Sequence, residues 1–192
     1  MVRAGKIWIV ILVVLAMLLV ATAWYISGYN KAVRYDEAAK NAWSNVDATL
    51  QRRLDLLPNL IQTVKGYATH EKELFESIAQ SRTKYFRTDS RAGKIEASNE
   101  LGGLLSRLLL LQERYPELKA NQNFLALQDS LEGTENRISV ARTRYNEAVK
   151  QLNAYTREFF GSFFCAHAGV TAMEYFDATE KAMEVPTVNF TE

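Results

Sequence analysis

The sequence predicts an all-α protein: an N-terminal transmembrane helix followed by an up-and-down antiparallel four-helix bundle. Three observations predict it. A run of twenty residues near the N-terminus carries no charge. Long segments beyond it space their apolar residues by threes and fours. The breaks between those segments are short and marked by glycine, proline or a capping residue. Short connections make consecutive helices antiparallel neighbours, hence the up-and-down arrangement. The 192 residues suffice for one such domain with a core of its own.

The charge-free run is Ile7 to Ile26, IWIVILVVLAMLLVATAWYI. Twenty helical residues cross a hydrocarbon core about 30 Å thick, and Trp24 and Tyr25 sit where interfacial aromatics belong. The rival reading is a cleaved signal peptide, because Ala21-Thr22-Ala23 forms an A-x-A-like site. The run continues past that site to Ile26, which favours a retained anchor. Arg3 and Lys6 precede the span, and Lys31, Arg34 and Lys40 follow it, so the basic flanks nearly balance. A short basic tail is readily kept inside, which puts the C-terminal domain outside the cytoplasm.

The first helix of the bundle begins after the anchor. From Trp43 onward, Val46, Leu50, Leu54, Leu57, Ile61, Val64 and Ala68 form one buried stripe that stays in phase across Pro58. A kink is therefore expected at Pro58, and a break at Gly66 with Thr69 as N-cap. The second helix is expected over 69–88, with Leu74, Ile78 and Tyr85 inward, and RTDSRAG (87–93) is the turn after it. The third spans about 94–115 with Ala97, Leu101, Leu104, Leu108, Leu111 and Tyr115 on one face, ending at Tyr115-Pro116.

The fourth helix carries a heptad-like seam: Phe124, Leu127, Leu131, Thr134, Ile138, Ala141, Tyr145, Ala148, Leu152, Tyr155 and Phe159. Thr134 is its one clearly polar member. FFGSFFCAHAGV follows, then a short amphipathic stretch around Met173–Met183 and an extended tail, VPTVNF. The domains are thus residues 1–28 (tail and anchor), 29–160 (bundle) and 161–192 (the aromatic and C-terminal segments).

Composition excludes several functions. The 23 bases against 22 acids, of which only Arg3 and Lys6 precede the domain, leave it near neutral, with no footprint for nucleic acid. The lone Cys165 cannot form an internal disulfide. HEKEL (70–74) begins like a zinc-protease motif but lacks the second histidine. Cys165 and His167 have no third orienting group, and Glu132 and Glu135 lack the Glu-x-x-His partners of a di-iron bundle. No catalytic residue, cofactor or metal is expected.

Antiparallel helices meet at positions whose numbers sum to a constant. Setting Tyr29 level with Phe159 pairs Trp43 with Tyr145 and Arg53 with Glu135, beside Thr134. Arg52, Arg53 and Asp55 would then meet Glu132 and Glu135 as a polar layer that fixes register at a cost in desolvation. The alternative is two solvated faces that never meet. In the aromatic segment, Phe160, Phe163 and Phe164 cannot all share the stripe that takes Phe159. They are expected to form an oligomer or membrane contact; the alternative is that they cap the base of the core.

AWSNVDATLQRRLDLLPNLIQTVKGYATHEKE (42–73), RYPELKANQNFLALQDSLEGTENRISVARTRYNEAV (114–149) and the closing PTVNF resemble the LemA family of bacterial proteins. The resemblance covers nearly all of the chain after the anchor. It implies a membrane segment and a four-helix bundle, and no established enzyme activity, cofactor or substrate. Where relatives carry a Phe-Pro step after the fourth helix, this chain has EFFGSFF (158–164). The expectation is a single-pass protein of the bacterial inner membrane, anchored in lipid and acting as a self-associating, homo-oligomeric scaffold. The alternative is an accessory or regulatory subunit of another membrane protein, such as a protease or secretion component.

Overall fold

The structure, a computed structural model, describes residues 2–176, with only the backbone described for residues 2–7 and Val10. Among the described residues seven helices follow in order: α1 (Val2–Lys65), α2 (Lys72–Arg87), α3 (Arg91–Leu109), α4 (Leu111–Arg114), α5 (Pro116–Lys119), α6 (Gln122–Arg157) and α7 (Phe159–Ala168). No strand occurs among the described residues. The chain divides into two compact units. Among the described residues, one takes those up to Ala42 with Glu147–Met173, the other Trp43–Asn146 with residues 174–176.

The charge-free run lies within α1, which is long and apolar enough to cross a membrane, and the side chains described in it are not buried within the protein. Beyond it α1 continues through Pro58 without a terminus and stops at Lys65, before Gly66. Its stripe in the second unit is Val46, Leu50, Leu54, Leu57, Leu60 and Val64. Leu60 is buried where Ile61 was expected, because a three-four spacing fits either residue after Leu57.

Several helix boundaries depart from expectation, among them the start of α3, which falls at Arg91 inside the RTDSRAG segment expected as a turn. The N-cap of α2 is Glu71 rather than Thr69, without a side-chain cap bond; its carboxylate pairs instead with Arg114 at 3.0 Å. The third helix stops at Leu109 rather than running to Tyr115, and α4 and α5 are separate single turns. Tyr115, at φ −125° and ψ 84°, leaves helical geometry before Pro116 as the sequence predicts. Ser90 caps α3 by accepting from the Gly93 amide at 3.1 Å. The buried face of α3 is Ala97, Ser98, Leu101, Leu105 and Leu108. Leu105 thus replaces Leu104, and the shift turns Ser98 inward.

In α6 the seam holds from Phe124 to Tyr155, with Val149 buried in place of Ala148 and Leu127 only partly covered. It fails at Phe159, which is 85% exposed. Glu158 adopts extended geometry (φ −64°, ψ 146°), so α7 starts anew in a different direction. A Cβ at Gly161 would collide with the Tyr155 carbonyl oxygen, so only glycine lets α7 turn back so close to the end of α6. Gly169, at φ 66°, ends α7, and the Val170 amide closes the cap on the Cys165 carbonyl at 2.9 Å. Residues 173–176, expected to begin an amphipathic helix, are not helical. The rest of that stretch and VPTVNF lie outside the described residues.

Candidate functional site

Two polar networks cross the interior of the second unit. Arg53, only 4% exposed, projects from α1 between α3 and α6. Its Nη1 donates to Glu135 Oε2 at 3.0 Å, and its Nη2 to the Ser98 carbonyl at 3.0 Å and the Ser98 hydroxyl at 2.7 Å. A guanidinium suits this position because it presents several donors in a fixed fork and stays charged. Glu135 keeps most of its side chain in water, so only the arginine end carries the full desolvation cost. Beside it, a cavity of about 510 Å³ is lined by Leu105, Leu109, Gln128, Leu131 and Glu132.

The second network joins α1, α2 and α3 at Asp47. One carboxylate oxygen accepts from the Tyr85 hydroxyl at 2.5 Å and from Lys94 at 2.8 Å, and the other from Gln51 at 3.0 Å. Burial pushes the Asp47 carboxyl up, but the bonds from Lys94 and Tyr85, the lysine charge and Gln51 outweigh it, holding the group below its ordinary value. Burial, then the Asp47 carboxylate, push the Tyr85 phenol well above its ordinary value. Both shifts favour the bonded form, with phenol donating and carboxylate accepting.

Of the five residues expected in the polar layer, the structure brings Arg53 and Glu135 together. Arg52, Asp55 and Glu132 are exposed. Thr134, buried beside Glu135, satisfies its hydroxyl on its own helix by donating to Ser130 at 2.8 Å. Ser98, Asp47 and Lys94 were missed. One signal was available: Tyr85 reads as inward, and a buried phenol needs a partner.

The first unit places the aromatic segment. Phe164 is buried, with its ring over Gly28, where a Cβ would fall among the ring atoms. It therefore belongs to the unit's own core and is removed from the expected contact surface. Phe160 and Phe163 stay 56% and 45% exposed. The Tyr155 hydroxyl donates to the Gly28 carbonyl at 3.0 Å, fixing α6 to α1 on the same turn.

Each unit also contains an asparagine that bonds main chain. Asn153 donates to the Met173 carbonyl at 2.8 Å and accepts from the Met173 amide at 2.9 Å. Asn146 does the same to Phe176, at 3.0 and 2.8 Å.

Chemically, these arrangements bind helix to helix. Burial pushes the Cys165 thiol up, away from the thiolate a nucleophile requires, and His167 Nδ1 lies 3.0 Å from the Phe163 carbonyl. Among the described residues, no three His, Cys, Asp or Glu side chains gather in a way that could hold a metal ion.

Comparison with known proteins places the sequence in a family. Protein LemA of Metamycoplasma hominis is 24% identical over 157 residues, covering 81% of this chain and 72% of that protein. Magnetosome protein MamQ 2 of Paramagnetospirillum magneticum and magnetosome protein MamQ of Magnetospirillum gryphiswaldense are each 24% identical over 174 residues. Those matches cover 77% of this chain and 64% of each MamQ protein, so the chain spans less than two thirds of their length. The LemA family pattern matches residues 42–190, well over half the chain, and the chain belongs to the LemA family.

Proposed function

We propose that this protein is a non-enzymatic, self-associating scaffold: an up-and-down four-helix bundle held by one span in the bacterial inner membrane, its C-terminal domain outside the cytoplasm. The observation that carries this reading is the use of the interior polar groups. Arg53, Asp47, Tyr85 and Lys94 all bond one helix to another, so the side chains able to do chemistry hold the architecture instead. That relatives are magnetosome proteins favours a part in an assembled structure over catalysis. The apolar run of α1 supplies the anchor, and confinement in two dimensions lets a modest contact suffice for assembly.

Full-length protein in lipid discs large enough for several copies should run as a multi-subunit particle, and intact mass should place its N-terminus at or near Met1. A monomer at micromolar concentration in discs and in several detergents overturns self-association. A second polypeptide copurifying from native membranes in constant ratio replaces it with the accessory-subunit reading.

A further inference from the structure

We infer that α7 is a lipid-contacting helix, whose Phe159, Phe160 and Phe163 lie in the headgroup–acyl boundary of the bilayer that the apolar run of α1 crosses. The inference rests on the anchor reading of α1 and is independent of self-association.

Across its ten residues, FFGSFFCAHA, α7 carries no Asp, Glu, Lys or Arg. Its apolar residues divide into two sets. Phe164 and Cys165 are buried in the first unit, whereas Phe159, Phe160 and Phe163 are exposed. Capping of the core therefore accounts for the first pair and leaves Phe159 bare and Phe160 and Phe163 only about half covered inside the protein. Exposed apolar surface of this extent marks a contact.

The place where α7 meets α1 identifies the contact. Phe160 and Phe164 meet the Trp24 ring edge-on at centroid distances of 5.1 and 5.0 Å. Phe163, Phe164 and His167 meet Tyr25 at 6.4, 5.8 and 6.2 Å. Phe164 also covers Gly28. Thus α7 crosses α1 on the turn from Trp24 to Gly28, where the charge-free run ends at Ile26. In a membrane spanned by that run, Trp24 and Tyr25 fall at the headgroup level. A helix packed sideways on the same turn lies at the same depth, as an interfacial helix does.

The surroundings fit lipid. Trp24 and Ile26 are themselves exposed, so the three phenylalanines extend the apolar surface that α1 already presents. Cations begin just beyond: Lys31 lies about one turn past Gly28, its ammonium 4.7 Å from the Tyr155 ring centroid, at the level where a bilayer spanned by the run would present its phosphates.

The test is a depth measurement on full-length protein in phosphatidylethanolamine–phosphatidylglycerol vesicles. A nitroxide is attached at Phe163→Cys in a Cys165→Ala background, with labels at Leu15→Cys in the span and Val140→Cys in the second unit as references. Collision with oxygen, which partitions into lipid, is compared with collision with a water-soluble nickel chelate. The oxygen-to-nickel ratio at position 163 should approach that at Leu15 and exceed that at Val140 several-fold. A ratio at 163 equal to that at Val140, with Leu15 still reading as lipid, overturns the inference and leaves the anchor standing. An aqueous reading at Leu15 removes both. Shielding from both reagents, with spin–spin broadening that fades when labelled protein is diluted with unlabelled, assigns the face to a second copy and overturns the lipid contact.

Discussion

Arg82 donates through Nε to the carbonyl oxygen of Leu54 at 3.3 Å, the oxygen that Pro58 leaves without a helical donor. A proline inside a helix lacks the N–H that would reach four residues back, and its ring pushes that carbonyl outward. In α1 the stranded oxygen is Leu54's, and α2 supplies the missing donor. The proline therefore creates an attachment point between two helices.

Arg82→Met should then destabilise the full-length protein by about 1 kcal/mol, the usual scale for a partly exposed hydrogen bond. In a Pro58→Ala background the restored amide can satisfy Leu54, so the same change should cost less. Denaturant midpoints for the four proteins of this cycle check it; strictly additive effects would mean that Arg82 acts elsewhere.

The Arg53 site predicts an asymmetry. Glu135→Leu leaves a buried guanidinium with Ser98 alone and should cost about 2–3 kcal/mol, below the full value for a completely buried pair because Glu135 is half in water. Arg53→Met removes the charge itself, leaves Glu135 solvated and should cost less. Adding Arg53→Met to Glu135→Leu should recover much of the loss. Thermal unfolding of the set decides; equal and additive losses would mean that the two residues do not interact.

Asp47 predicts the acid limb of stability. Its carboxyl is held below the ordinary 3.8 in the folded protein, so the folded state binds fewer protons than the unfolded chain near that pH. The stability it contributes is present in full above about pH 5 and lost as pH falls through the folded value. For Tyr85, raised from 10.0, the sign reverses: stability is full below about pH 10 and lost as pH rises beyond it. Unfolding free energy measured against pH should fall at both ends. Asp47→Asn should flatten the acid limb, and an unchanged limb would assign it to other carboxylates.

Gly28 predicts a packing defect that can be read chemically. Gly28→Ala drives a methyl into the Phe164 ring, an overpacking error worth about 1–3 kcal/mol. Because Cys165 follows Phe164 and is buried, displacing the ring should let a maleimide label the thiol many times faster. Phe164→Leu in the same chain should restore part of the protection. Unchanged labelling in Gly28→Ala would mean that α7 does not depend on this contact.

Much of the architecture could be read from residue spacing. The counting rule that sets Trp43 against Tyr145 agrees with their rings meeting at 5.3 Å, and it places Arg53 beside Glu135. What escaped has physical reasons. A three-four stripe is ambiguous by one residue, so Leu60, Leu105 and Val149 were each misplaced by one. Glu158 leaves helical geometry with no proline or glycine at its position, so Phe159 read as one more seam residue. Ser98 and Asp47 act through side chains on other helices, and no local pattern announces such a partner. The asparagine bonds were the least legible, since what they bind is backbone twenty and thirty residues away.

Those asparagines have a consequence for how the C-terminal segment can change. A carboxamide carries the same donor and acceptor as a peptide group, so Asn153 recognises residue 173 by its main chain alone. Met173 can therefore be exchanged for any non-proline residue that fits the space, with the grip kept. Asn153→Asp cannot serve: its carboxylate would face the Met173 carbonyl with no proton to offer. The same holds for Asn146 at Phe176, except that Phe176 is also buried under the Arg142 guanidinium, 4.3 Å from its ring centroid. The grip of Asn153 is thus grammar alone, whereas Phe176 is held by grammar and vocabulary together.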